Sequence, residues 1–262
     1  MSCEQCGQGY VMKGETTGTM IDGAYYHEGP NKSRAVVLLT DIFGLPLVNC
    51  KLLADRLSNE LQCDVWVPDY FTGGPPFKVE ELDPLVPHKA GDSIGFTRTL
   101  RFIALIFPRL HRLFANRASV VDPKIDSFIA KIRDDKKYDK VGAVGYCFGG
   151  SAGIRLGSRS LVDSLVIAHP GICTIEEIRA IKVPTAWVCA EDDSTFNAKI
   201  REEAERAFAS RKVKPEFKDY EFKVYKGTAH GFAARPDLSL PEICEAYEQA
   251  FEQTKTWFAK TL

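Results

Sequence analysis

A cysteine stands where a chain leaving an apolar strand must turn at once into a helix. The stretch reads Val141-Gly142-Ala143-Val144-Gly145-Tyr146-Cys147-Phe148-Gly149-Gly150, followed by Ser151-Ala152-Gly153-Ile154. A β-branched run feeding Gly-x-Cys-x-Gly-Gly is the layout of a nucleophile elbow. The turn is so tight that its central residue is strained and its neighbours have no room for side chains. Such a turn holds the Cys147 thiol at the positive end of a helix, where a thiolate is favoured. Glycine-rich turns also serve nucleotides. Here, however, no Gly-x-Gly-x-x-Gly follows Val144, and no Gly-Lys-Ser/Thr is present to hold phosphates. The competing reading of Cys147 is a structural thiol beside such a turn.

A thiol nucleophile needs a base to take its proton and a carboxylate to orient that base. Both follow in the chain. Val183-Pro184-Thr185-Ala186-Trp187-Val188-Cys189-Ala190 reads as a buried strand ending in Glu191-Asp192-Asp193, and Asn197–Arg211 reads as a helix. Tyr220–Tyr225 alternates as a strand does and runs into Gly227-Thr228-Ala229-His230-Gly231-Phe232. His230, in a glycine-bearing loop after a strand, is the favoured base. His27 follows an early edge strand, and His88 and His111 lie in an insertion. His169 ends an apolar run and reads as a turn histidine lining the rim of the site. Of the three adjacent acids, only one can point back toward His230. Asp192 is preferred, with Glu191 and Asp193 left as alternatives.

The elements that must position these groups alternate along the chain. Gly18–His27 reads as a strand region, Ala35–Thr40 as a buried strand, and Asn49–Leu61 as a helix with Leu52, Leu53, Leu57 and Leu61 at helical spacing. Val65–Tyr70 is a further strand, ended by Gly73-Gly74-Pro75-Pro76, and Pro241–Leu262 is the last helix. Alternation of this kind predicts a mostly parallel sheet with helices on both faces. The segment 77–120 breaks the rhythm. Its run Arg98–Phe107 is apolar with flanking arginines, and Pro108 interrupts it. The plainer reading is helices packed over the sheet. The functional one is a cap in which Phe102, Phe107 and arginines meet the substrate, and a membrane-surface role ranks last.

With Gly145–Gly150, the acid after the 183–190 strand and Thr228-Ala229-His230-Gly231-Phe232 in place, the chain resembles the dienelactone hydrolase family, closest to its fungal-type members. The Cys-containing N-terminal segment and Gly14-Glu15-Thr16-Thr17-Gly18 add to the likeness, which covers nearly the whole chain from about Cys3. The resemblance implies an α/β-hydrolase fold with a mostly parallel central sheet of about eight strands flanked by helices. It implies a Cys147-His230-Asp192 triad that hydrolyses a lactone or ester through an acyl-thioester, with no cofactor. It places the oxyanion hole at the backbone N–H groups of Phe148 and Ile42. It adds an acid that pairs with the resting thiol, here Asp41, where bacterial members have glutamate. It also implies arginines that clamp a substrate carboxylate: Arg235 fits one, and Arg98 or Arg101 is the candidate for a second. Phe102 and Tyr146 complete the expected substrate-binding set.

A length of 262 residues suits one such domain over 1–262, with 1–17 expected to be loosely ordered. A formal net charge of −1 offers nothing to a nucleic acid. Eight cysteines without a signal peptide point to a reducing compartment, and a cytoplasmic location is expected. Cys3-x-x-Cys6 lacks the second pair a zinc site needs, so no metal is expected. The expected partner is a small lactone or ester, with no nucleic acid and no membrane, and the chain is expected to be a monomer or homodimer. The competing function is a non-catalytic or redox-sensing thiol protein on the same scaffold.

Overall fold

Five consecutive strand-forming stretches of the chain carry apolar runs on both sides because each becomes a strand covered on both faces. In the computed structural model, which describes residues 10–212, 215 and 217–262, Val36 and Leu38 point into one core layer and Ala35, Val37 and Leu39 into the other. This is the period-2 signature of a parallel sheet sandwiched between helices.

In chain order the elements are β1 (Thr19–Ile21), β2 (Ala24–His27), β3 (Asn31–Leu39), α1 (Val48–Leu61), β4 (Cys63–Pro68), α2 (Val79–Leu82), α3 (Phe96–Ile106), α4 (Leu110–Ala115) and α5 (Ala118–Lys136). They continue with β5 (Lys140–Tyr146), α6 (Phe148–Ser158), β6 (Ser164–Ala168), α7 (Ile175–Arg179), β7 (Thr185–Asp192), α8 (Ala198–Ala209), β8 (Tyr220–Ala229) and α9 (Pro241–Thr261). One eight-stranded sheet runs in the order β1-β2-β4-β3-β5-β6-β7-β8. The β1–β2 and β2–β4 pairs are antiparallel and the rest are parallel. The α/β-hydrolase architecture expected from the sequence is the one observed.

Apolar residues of α1 and α9 fill one layer, and those of α5, α6, α7 and α8 fill the other. A third, smaller cluster joins Phe43, Leu47, Phe77, Val79 and Leu82 to the inner side of α3 and α4 through Phe102, Leu105, Ile106 and Leu113. The insertion is therefore helical, and it covers the loop after β3 rather than extending the sheet.

Residues 10–17 are anchored on α1. The Met12 amide donates to Asn49 Oδ1 at 2.9 Å and the Thr17 amide to Asp55 Oδ2 at 2.7 Å. That part of the expected loose N-terminus is tied down. The rest of it, and the Cys3/Cys6 pair, lie outside the described residues.

Candidate active site

β5 ends at Tyr146 and α6 begins at Phe148, leaving Cys147 alone to make the turn at φ 51° and ψ −111°. A left-handed conformation costs a non-glycine residue on the order of 1–3 kcal/mol, so its surroundings must impose it. Here they do. The Cys147 amide donates to Ala168 O, and the Cys147 carbonyl accepts from Ser151 N–H and Gly171 N–H. The flanking glycines are required by space: a Cβ on Gly145 would sit 2.2 Å from Gly149 O, and one on Gly149 would sit 2.2 Å from Leu39 O.

β8 ends at Ala229, one residue before His230, and β7 ends at Asp192, one residue before Asp193. His230 Nδ1 lies 2.9 Å from Asp193 Oδ2 and 3.1 Å from Thr195 Oγ1. Cys147 neighbours the same ring, and both line one cavity. Burial works against a charge on His230, but the neighbouring Cys147 and the Asp193 carboxylate outweigh it and raise its pKa to about 10. Asp193 is buried, which favours its neutral form. His230, with hydrogen bonds from Thr195 and Phe196, overrides burial and holds the carboxyl well below its ordinary range.

The acid facing His230 is thus Asp193, not the preferred Asp192. The register between β7 and β8 shifts between Ala190 and Asp192, so Asp192 still belongs to the ladder, opposite Ala229. Its Oδ2 accepts from Gly91 N–H at 3.0 Å. Asp193 is the first residue free of the ladder. One of its oxygens closes the turn, accepting from Thr195 N–H, Thr195 Oγ1–H and Phe196 N–H, and the other is left for the imidazole. Glu191 points to Lys226 and the Gly227 amide.

Phe148 and Ile42, the expected oxyanion-hole residues, both line the cavity that holds Cys147. Phe148 opens α6, so its N–H has no acceptor within the helix. The loop holding Ile42 is fixed by other bonds, from Phe43 N–H to Asp41 Oδ1 and from Gly44 N–H to Asp41 O.

Asp41 does not pair with the thiol. Its Oδ2 accepts from Arg235 Nε at 3.0 Å, and the same guanidinium bonds Asp83 through Nη1. The short aspartate side chain is taken up by a buried arginine within its reach. Burial raises the pKa of both acids against the pull of Arg235, that of Asp83 to about 7. Arg235 lines the cavity beside Cys147 and packs on the Phe43 ring, but its charge is already met by two carboxyl groups. Asp83 is a site residue the sequence reading missed, because an isolated Asp-Pro in an insertion carries no local signal.

The cavity above Cys147 measures about 590 Å³. Phe43, Phe77, Leu82, Phe102, Ile106 and Leu113 make its wall largely apolar, and the Ser151 hydroxyl, also in the wall, has no partner among the described residues. Phe102 is where the sequence placed it. Arg101 is not: it is exposed on α3, away from the cavity wall. Tyr146 is buried in the core layer under α1 and α9, since alternation along β5 turns it away from the thiol. Among the cavity-wall arginines, Arg155 is paired with Asp122, while Arg117 has no carboxylate partner among the described residues. His169 lies behind the site rather than on its rim. It is fully buried, edge-on to His230 at 5.2 Å, and burial holds its pKa well below 6.5, so it stays neutral.

A parallel α/β sheet with this elbow and these strand-end loops defines a hydrolase of the α/β class. The dienelactone hydrolase family model matches residues 22–262, and the chain belongs to that family. It is 30% identical to the hydrolase pyvD of Aspergillus violaceofuscus, over 98% of this chain and 96% of that one. The hydrolase tropI of Talaromyces stipitatus is likewise 30% identical, over 97% and 94%. The human carboxymethylenebutenolidase homolog is 27% identical over 81% of this chain and 76% of its own. Among solved structures, a putative dienelactone hydrolase from Klebsiella pneumoniae superposes with a TM-score of 0.62 at 15% identity, covering 90% and 92% of the two chains, a likeness of fold.

Proposed function

We propose that this protein hydrolyses a small lactone or ester through an acyl-thioester on Cys147, as a carboxymethylenebutenolidase-type enzyme. The observation that carries this reading is the grouping of Cys147, His230 and Asp193 at three strand ends, with Cys147 and His230 lining one apolar cavity and Asp193 bonded to His230.

His230 takes the Cys147 proton. The thiolate attacks the carbonyl carbon, and the oxyanion formed is held by the Phe148 and Ile42 amides, each such donor typically contributing about 3 kcal/mol in the transition state. Collapse breaks the acyl C–O bond as the His230 imidazolium gives its proton to the departing alkoxide. In a lactone this opens the ring and leaves the new hydroxyl on the acyl group. Neutral His230 then takes a proton from water, the hydroxide attacks the thioester, and the thiolate leaves with the carboxylic acid. Asp193 keeps the imidazole oriented and stabilises its charged form throughout.

The substrate is predominantly apolar. Arg235, neutralised by Asp41 and Asp83, is not free to clamp a carboxylate, and Arg117 is the guanidinium left to meet an anionic group on a substrate. Turnover of p-nitrophenyl acetate and a lactone panel, with intact-mass detection of the acylated chain, tests the reading. Hydrolysis by the wild type and none by Cys147→Ala or His230→Ala supports it. No turnover on any ester, with thiol reactivity unchanged in His230→Ala, overturns it in favour of a redox-type thiol.

A further inference from the structure

The cap carries a second apolar face that the cavity does not use. Phe96, Leu100, Ile103, Phe107, Leu110 and Phe114 recur at steps of four and three residues along α3, the 3-10 turn Phe107–Arg109 and α4, the spacing of one helical face. All six are exposed by half or more, with Phe96 at 79%, Phe107 at 74% and Phe114 at 67%. The opposite side of the same helices supplies Phe102, Ile106 and Leu113 to the cavity wall, so the exposed stripe is not a core face out of place.

Charge identifies what covers it. Residues 96–115 contain four arginines and no aspartate or glutamate, in a chain of formal net charge −1. Arg98 and Arg109 turn to Asp92 and Glu81. Arg101 and Arg112 have no carboxylate partner among the described residues. Two copies of this face set against each other would oppose arginine to arginine with no acid between them. An anionic lipid surface satisfies both features, accepting the apolar stripe at the acyl boundary and the guanidinium groups among its headgroups. No helix among the described residues is long and apolar enough to cross a membrane, so such contact is peripheral.

We infer that the outer face of α3 and α4 docks on an anionic phospholipid surface. Ile94, two residues before the stripe, lines the cavity and is itself exposed, so docking brings the cavity wall to the lipid. The inference stands apart from the hydrolytic mechanism, because none of the six stripe residues lines the cavity.

Co-sedimentation with vesicles tests it, comparing phosphatidylcholine alone with phosphatidylcholine mixed with phosphatidylglycerol. The wild-type protein should sediment with the mixed vesicles only and be released by added salt. A Phe96→Ser/Ile103→Ser variant should bind about tenfold less, and Arg101→Glu/Arg112→Glu should lose the preference for phosphatidylglycerol. Circular dichroism melts matching the wild type establish that these surface variants fold. Three results each overturn the inference: no sedimentation with either vesicle, equal sedimentation of wild type and the Phe96/Ile103 variant, or a dimer in light scattering that the same variant dissolves while vesicles bind nothing.

Discussion

The two sides of the cavity are built on opposite terms. On one side the ends of β5, β7 and β8 emerge from a sheet buried on both faces, and backbone hydrogen bonds from Thr40 just after β3, from β6 and from the loop after β6 converge on the Cys147 turn. On the other, α3 and α4 contain no buried residue and rest on the molecule through part of one face. Reacting groups placed within a few tenths of an ångström need the first kind of support. A wall that selects by shape and apolarity needs only the second. Substitutions at the strand ends should therefore alter chemistry or folding, whereas those in the cap should alter binding.

The sharpest break is at the thiol. Cys147→Ala should lower kcat/KM for p-nitrophenyl acetate by about 10⁴-fold or more, the usual cost of removing a nucleophile. Retained activity would move the chemistry away from the strand ends. Next comes the choice between neighbouring acids. Asp193→Asn should lower kcat by roughly 10²- to 10⁴-fold, while Asp192→Asn, which disturbs only the Gly91 contact, should stay within about threefold. A reversal of the two would return the orienting role to Asp192.

Stability sharpens the same contrast. Gly149→Ala forces a Cβ against Leu39 O and should cost on the order of 2–4 kcal/mol in denaturant unfolding, against roughly 0.5 kcal/mol or less for Leu110→Ala in the cap. The dependence on pH follows from His230. Its folded-state pKa is raised from 6.5 to about 10, so its stabilising contribution is complete below 6.5 and is lost as pH rises through about 10. The melting temperature of the wild type should fall over that window more than that of His230→Gln. The smallest effect belongs to the cap. Phe102→Ala should raise KM for an apolar ester by about tenfold with kcat nearly unchanged.

Much of this was legible in the residues. The Gly-x-Cys-x-Gly-Gly turn, the apolar strand runs and the order thiol, acid, histidine depend on local chain geometry, which glycine, β-branched and apolar residues report directly. The acid was legible only to within three residues, because a register shift at the end of β7 breaks the alternation that would have named it. Tyr146 and Arg101 were misplaced for a related reason. Standing near the thiol in sequence, or on an arginine-rich helix, says nothing about the side to which a side chain turns. The family resemblance pairs Asp41 with the thiol, but Arg235, far away in the chain, lies 3.0 Å from it and takes it instead, a contact no local pattern reports.

The sequence by itself determined the sheet, the elbow and the placing of Cys147 and His230 just beyond strand ends, since each rests on contacts between near neighbours or on periodicity within one element. Only the tertiary structure decided that Asp193 orients His230, that Asp41 and Asp83 share Arg235, and that the cap offers one apolar face to the cavity and another to the outside. Those outcomes depend on which distant side chains arrive within hydrogen-bonding or packing distance, and that is set by how the strands register and the helices lie on them.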